Sequence, residues 1–286
     1  MVEKAASLSS AAGFRAMLDD FESASILVLG SGTSVGVPMI GCHCKVCQSS
    51  DPRDKRLRPS VLIRFGAHRV LIDTSPDFRH QALRFGIDRL DAILYTHSHA
   101  DHILGLDDVR PFNFMQKHGI PIHGSPETLA VIERTFQYVF DEEPSESSRP
   151  KIVPLPFNHN NHISIAGLDF LPLRLAHGQG AVHGFRFGDC AYLTDHSAIP
   201  PEAALQLEGL DVLFLDALRH NPHPTHSTLE QSLETAARLR PKRAFFTHIS
   251  HDLSHATVEA RLPPKVRLAF DGLEIPIGRS ARPIGT

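Results

Sequence analysis

Short apolar runs that end at a polar residue or a glycine recur along the 286-residue chain. SILVLG at 25–30 stops at a glycine and predicts a strand. SVLIRF at 60–65 and HRVLID at 68–73, separated by Gly66 and Ala67, predict a hairpin. DAILYT at 91–96, DVLFLDA at 211–217 and RAFFTHIS at 243–250 predict buried strands, and weaker runs add strands at 162–166, 168–175, 183–188 and 190–194. Helical spacing covers 76–87, 101–117, 126–139, 200–208, 225–240 and a short stretch near 255–262, and two short strands close the chain. In 225–240, Ser227 or Thr228 is the expected N-cap, with Glu230 or Glu234 in the early turns. Phe14, Met17, Leu18 and Phe21 give residues 1–22 an apolar stripe, which reads as a helical or frayed extension ahead of a single domain over 23–286. No repeat of fixed period and no Pro/Gly/Ser-rich linker divides that domain. The pattern is α/β, with polar motifs where strands stop, and that is where ligand groups collect.

Composition narrows the classes. The chain is 42% hydrophobic and 21% charged, as expected of a globular protein. Its net charge of −3 offers no basic footprint, and no Lys/Arg cluster suits a phosphate backbone, so a nucleic-acid partner is not expected. No run of 18 apolar residues predicts a membrane span. The first residues, MVEKAASLSS, carry Glu3 and no continuous apolar stretch, so a cytoplasmic location is expected. DEEPSESSRP at 141–150 reads as an acidic surface insertion.

Three of the four cysteines, Cys42, Cys44 and Cys47, fall within six residues, whereas a disulfide framework would spread them. Such clustering reads as a metal site or a redox motif. Cys190 reads as the core residue of a strand. The glycine-rich GSGTSVG at 30–36 has G-x-G-x-x-x-G spacing with no helix after it, which excludes a dinucleotide-binding loop.

The strongest motif is THSHADH, which holds His97, His99, Asp101 and His102. Residues two apart on an extended segment point the same way, so His97 and His99 can reach one metal. Asp101 and His102, at the start of the next helix, can face a second. With 19 histidines and as many aspartates, four fixed positions have a chance expectation of about 0.005 occurrences. His177 after DFLPLRLA, Asp195 after AYLT and His248 after RAFFT each follow an apolar run and complete a set large enough for two metals.

In that order these residues resemble the metallo-β-lactamase superfamily, whose signature is HxHxDH followed by a distant His, an Asp and a last His. The resemblance covers about residues 25–277. It implies a four-layer αββα sandwich with two metals at one edge. One metal falls to His97, His99 and His177, the other to Asp101, His102 and His248, with Asp195 bridging. Asp73, ending VLID, matches a supporting aspartate that orients the ligand loop. GTSVGVPMIGCHCKVCQ and THISH further resemble the carbon–phosphorus lyase accessory phosphodiesterase group, which cleaves phosphoribosyl cyclic phosphate. That likeness implies a structural zinc on Cys42, Cys44, Cys47 and His251, with a redox pair, or His43 or Cys190 as fourth ligand, as alternatives. His226 in HPTHSTL matches a histidine placed near the leaving group, although His220 and His223 lie close enough to be confused with it. His196 has no counterpart in the group and would crowd the pocket or add a substrate contact.

The expectation is therefore a hydrolase in which hydroxide generated by two metals, Zn²⁺ or Mn²⁺, attacks the phosphorus of a small cyclic phosphate or nucleotide, with one further structural zinc. Asp101 and His226 are the expected catalytic residues, His226 as general acid. The competing readings are a thioesterase or lactonase, an RNA-processing nuclease, and a non-hydrolytic metal-binding biosynthetic accessory protein. The partner is a small phosphodiester, with a homodimer left open.

Overall fold

The computed structural model describes residues 23–141, 146–159 and 161–278. The apolar stripe in 1–22 and part of the acidic insertion fall outside them.

Two seven-stranded sheets face each other. The first has the order β14-β1-β2-β3-β4-β5-β6, formed by Glu274–Pro276, Ser25–Gly30, Ser60–Phe65, His68–Ile72, Ala92–Leu94, Ile120–Gly124 and Ile152–Pro156. The second has the order β13-β12-β11-β10-β9-β8-β7, formed by Val266–Leu268, Arg243–Thr247, Val212–Asp216, Cys190–Leu193, Gly180–Phe187, Leu168–His177 and Ile163–Ile165. Both sheets change from antiparallel to parallel pairing midway. β1–β2 and β2–β3 are antiparallel while β3, β4, β5 and β6 run parallel; β8–β9 and β9–β10 are antiparallel while β10, β11, β12 and β13 run parallel.

The central strands are apolar on both faces because both faces are covered. In β1, Ile26 and Val28 join Ile63, Phe170, Phe185 and Phe214 between the sheets. Leu27 and Leu29 point outward against Phe78, Phe112 and Ile132 of the helices Phe78–Arg84, Arg110–Gln116 and Pro126–Thr135. On the other side Leu213, Leu215 and Phe246 pack against helices that include Pro201–Leu205, Leu229–Leu239 and His255–Glu259. The result is the αββα sandwich the motifs imply. Among the described residues no helix is long and apolar enough to cross a membrane.

Some elements differ from the sequence expectation. β5 and β6 were not expected. The helix read over 101–117 is broken into Ala100–Ile103, a 3₁₀ turn at Leu106–Val109 and Arg110–Gln116. Gly105 marks the break: its N–H donates to the Thr74 carbonyl, and a Cβ there would stand 2.0 Å from the Ser75 carbonyl oxygen. β9 begins at Gly180, three residues before the expected start. Thr228 is the N-cap of Leu229–Leu239, but Gln231, not a glutamate, completes the capping box.

Candidate metal centre

The parallel strands deliver their C-terminal ends to one edge of the sandwich, where strands stop and their backbone groups leave room for ligands. Asp73 follows β3, His97 to His102 follow β4, Asp195 follows β10, Asp216 ends β11 and His248 follows β12. His177 ends β8 on the same edge. Asp73, Asp195 and His248 have φ of 64°, 56° and 58° and account for three of the six described non-glycine residues in the left-handed region. Such backbone costs of order 1–3 kcal/mol per residue and persists where surrounding structure enforces it. It turns each side chain back over the strand end.

The buried donors of Asp101, His102, Asp195 and His248 lie within 4.8 Å of one another. His248 Nε2 is 3.1 Å from Asp195 Oδ2 and 3.7 Å from Asp101 Oδ2, and His102 Nε2 is 3.3 Å from Asp195 Oδ1 and 3.4 Å from Asp101 Oδ2. Ligands at about 2.0–2.2 Å from one cation stand roughly this far apart. Asp101 Oδ2, His97 Nε2, His102 Nε2 and His248 Nε2 are buried without hydrogen-bond partners. Buried polar atoms are rarely left so, and a cation shared by Asp101, His102 and His248, with a second beside His97, would answer all four. Beside this cluster the His97, His99 and His177 rings converge, with centroids 4.5, 5.1 and 5.6 Å apart, and His97 Nε2 lies 4.0 Å from Asp195 Oδ2. Asp195 thus faces both groups of histidines.

Electrostatics divides the imidazoles. Burial lowers His97, His99 and His177, which keeps them neutral donors. Burial would lower His248 too, but Asp195 and Asp101 outweigh it and push it up to about 9. Burial would raise Asp101, yet His102 and His248 hold it well below the usual carboxylate range. Two buried carboxylates therefore demand positive charge at this spot.

Nδ1 of His102 and of His177 is tied down, whereas His248 Nδ1 has no hydrogen-bond partner. His102 Nδ1 donates to Asp73 Oδ2 at 2.7 Å, and the Thr96 N–H and hydroxyl donate to the same carboxylate at 2.8 Å each. His177 Nδ1 donates to the Asp195 carbonyl at 2.5 Å. These bonds turn Nε2 of each ring inward and select its tautomer. The position read as a supporting aspartate is thus next to the ligand loop.

His226 lies at the rim, 91% buried, stacked on His248 at 4.6 Å and edge-on to His177 at 5.1 Å. His223 packs against it, whereas His220 pairs with Glu230 on the surface. The sequence reading missed Asp216, whose Oδ2 accepts from His226 Nδ1 at 2.6 Å. Burial raises Asp216 and lowers His226 to about 4. The available signal was a carboxylate ending an apolar run, as at Asp73 and Asp195. His196 does not join the donor cluster. Its carbonyl accepts from the Ser227 hydroxyl at 2.9 Å, and the residue borders a separate cavity that Gln231 and Glu234 also line.

A second cluster ties the glycine-rich loop to the turn after β12. His251 Nδ1 is 3.2, 3.5 and 3.5 Å from the sulfurs of Cys42, Cys44 and Cys47. A tetrahedral zinc with Zn–N and Zn–S bonds of about 2.0 and 2.3 Å spaces nitrogen and sulfur about 3.5 Å apart. The Cys47 N–H donating to the Cys44 sulfur helps lower that thiol to about 6, whereas burial raises Cys47 to about 11. His43 is exposed and Cys190 is buried in the core between the sheets, so neither competes with His251.

A family model described as "Beta-lactamase superfamily domain" matches residues 68–249. A solved structure of a new diphosphatase from the PhnP family is 50% identical, with a TM-score of 0.83 over 88% of this chain and 96% of that one. An octanoyltransferase of Porphyromonas gingivalis is 39% identical over 254 residues; the match covers 87% of this chain but only 50% of the relative. A coenzyme PQQ synthesis protein B of Xanthomonas campestris pv. campestris is 25% identical over 87% of this chain and 99% of its own length.

Proposed function

The chain belongs to the β-lactamase superfamily, and we propose that it is a metal-dependent hydrolase that cleaves the phosphodiester of a small cyclic phosphate or nucleotide. The observation that carries the reading is the buried Asp101–His102–Asp195–His248 cluster with its partnerless donor atoms. Phosphorus is favoured over an acyl carbon by the 50% identity to a PhnP-family diphosphatase. The same identity outweighs the more distant likeness to a biosynthesis protein. Because the chain spans half of the octanoyltransferase it matches, nothing of that relative's transfer activity is carried over.

In this reading His97, His99 and His177 would hold one divalent metal and Asp101, His102 and His248 a second, with Asp195 within reach of both groups. When bound, two such ions supply Lewis acidity, a lowered water pKa and neutralisation of charge on phosphate oxygens. The imidazole-rich pair suits Zn²⁺ or Mn²⁺, and the three thiolates with His251 suit a structural Zn²⁺. Asp73 fixes the His102 ring through Nδ1. His226, its Nδ1–H held by Asp216, acts as the imidazolium: its Nε2–H protonates the departing alkoxide and leaves a neutral imidazole. Asp101 is both a ligand and a counter-charge in the reacting site. Three free cysteines in one cluster suit a reducing compartment, and we place the protein in the cytoplasm.

Hydrolysis of bis(p-nitrophenyl) phosphate by metal-loaded protein tests the proposal, with His99→Ala as control. Turnover that disappears in the mutant supports phosphodiester chemistry at this centre. No turnover at full metal content sinks it and moves the weight to acyl substrates. Independently, Cys44→Ser is expected to lower the metal content by about one per chain and to reduce thermal stability, because a structural zinc contributes folding free energy directly. Unchanged metal content by mass spectrometry refutes the structural site.

A further inference from the structure

The loop between Asp216 and the helix Leu229–Leu239 is braced beyond what a connection needs. The Leu218 N–H donates to the Ser227 carbonyl and the Leu229 N–H to the Arg219 carbonyl, which closes the loop at its base. Arg219 Nε and Nη2 donate to the carbonyls of Asn221 and Pro222 at 3.1 and 3.0 Å. Pro222 and Pro224 fix φ on both sides of His223. The turn after His177 packs against the same loop: a Cβ at Gly178 would stand 2.9 Å from Thr225 Cγ2. Bracing of this kind holds a side chain in one geometry. The side chain it holds beside the metal centre is His223.

Ring contacts show where His223 stands. The buried His226 touches His248 at 4.6 Å and His177 at 5.1 Å. His223 is only half-buried, and among the described residues its ring touches His226 alone, at 5.0 Å with the planes 48° apart. It is therefore the next group outward from the expected acid. Its Nδ1 lies 3.4 Å from the Thr225 backbone nitrogen and 3.1 Å from the Thr225 hydroxyl. A backbone N–H can only donate, so Nδ1 is the acceptor and the hydrogen of the neutral ring sits on Nε2. Burial, with His226 and Arg219 nearby, lowers His223 and favours this neutral form. Among the described residues Nε2 has no hydrogen-bond partner. His220, three residues earlier, is by contrast engaged by Glu230. His223 thus offers one N–H of fixed tautomer beside the residue that meets the leaving group.

We propose that His223 is a specificity-determining residue for the leaving group: its Nε2–H donates to a second oxygen of the departing alcohol, carried on the carbon next to the one that bears the scissile oxygen. The proposal rests on the phosphodiesterase reading and on His226 as the acid. As the P–O bond breaks, its electron pair stays with the scissile oxygen, which takes the Nε2 proton of His226. The bond from His223 transfers nothing and orients the alcohol. The residue selects alcohols with a neighbouring oxygen over simple alkyl and aryl esters.

Glycerol 1,2-cyclic phosphate and propane-1,2-diol cyclic phosphate differ by that one oxygen, and kcat/KM for the pair tests the proposal. The parent protein should prefer the glycerol ester. His223→Phe keeps an aromatic ring in the loop, removes the donor, and should cut the preference by about 3- to 10-fold, the worth of one neutral hydrogen bond. His223→Gln, whose amide N–H can stand near the place of Nε2, should restore part of it. Metal content and kcat/KM for bis(p-nitrophenyl) phosphate, measured on the same variants, report on the structure of the centre. Equal losses on all three substrates, or lost metal, make His223 a packing residue and overturn its proposed role. A parent that does not distinguish the two cyclic esters, or a preference unaltered in His223→Phe, overturns it while the phosphodiesterase reading stands. So does a parent that cleaves bis(p-nitrophenyl) phosphate but neither cyclic ester. If none of the three is cleaved at full metal content, both readings fall together.

Discussion

Asp195→Asn is expected to lower phosphodiester turnover by about 10³-fold or more and to reduce catalytic metal from two ions per chain to one or fewer. One side chain is placed within reach of three imidazoles: 3.1 Å from His248, 3.3 Å from His102 and 4.0 Å from His97. An amide keeps the shape but removes the negative charge that two divalent cations and their imidazole ligands need. Asn also tolerates the left-handed backbone at this position, where φ is 56°, so the fold survives the change. Metal analysis separates the contributions, since an ion on the cysteines would remain. A variant that keeps all three ions and normal turnover refutes the bridging role of Asp195.

The motifs were legible because their chemistry is local. HxHxDH compresses four donors into six residues, and CHCKVC puts three thiols on one loop. His177, Asp195 and His248 were visible as polar residues ending apolar runs, because a strand buried on both faces stops being apolar where it meets the site. Asp216 obeys the same rule at the end of VLFLD, but it was read as part of its strand. Its partner lies ten residues away across a loop, and no single-strand pattern encodes that distance. β5 and β6 were hidden by proline: Pro121 interrupts the first, and Pro154 and Pro156 the second. β6 is an edge strand, where a missing N–H is tolerated.

The left-handed residues explain why the site occupies this edge. Asp73, Asp195 and His248 each reverse the chain after a strand of the parallel part of a sheet. Hydrogen bonds of the neighbouring chain hold the turns. The Asp73 N–H donates to the Leu94 carbonyl, and next to His248 the Ile249 N–H donates to the Ser31 carbonyl. The glycine-rich loop that begins near Ser31 continues to Cys42 and returns to His251, three residues beyond His248. Arg56, fully buried, reinforces the same junction by donating to the carbonyls of Ser250 and Leu253. Loop, cysteine cluster and guanidinium thus converge on the turn that presents His248.

His226→Ala is expected to slow cleavage by about 10²–10⁴-fold, the range for loss of a general acid, and the size of the loss should depend on the leaving group. A p-nitrophenolate departs without a proton, so bis(p-nitrophenyl) phosphate should lose far less than a cyclic phosphate whose leaving group is an alkoxide. Asp216→Asn should reproduce that pattern. Asparagine keeps a partner beside His226 Nδ1 but removes the carboxylate charge that stabilises the imidazolium, the form whose Nε2–H can protonate the leaving group. The two substitutions act on one proton, so the double mutant should be little worse than the worse single mutant. Equal losses on both substrates would instead place His226 among the groups that hold the metals or the substrate. Its stacking on His248 at 4.6 Å gives that outcome a structural route, and retained metal content in His226→Ala closes it.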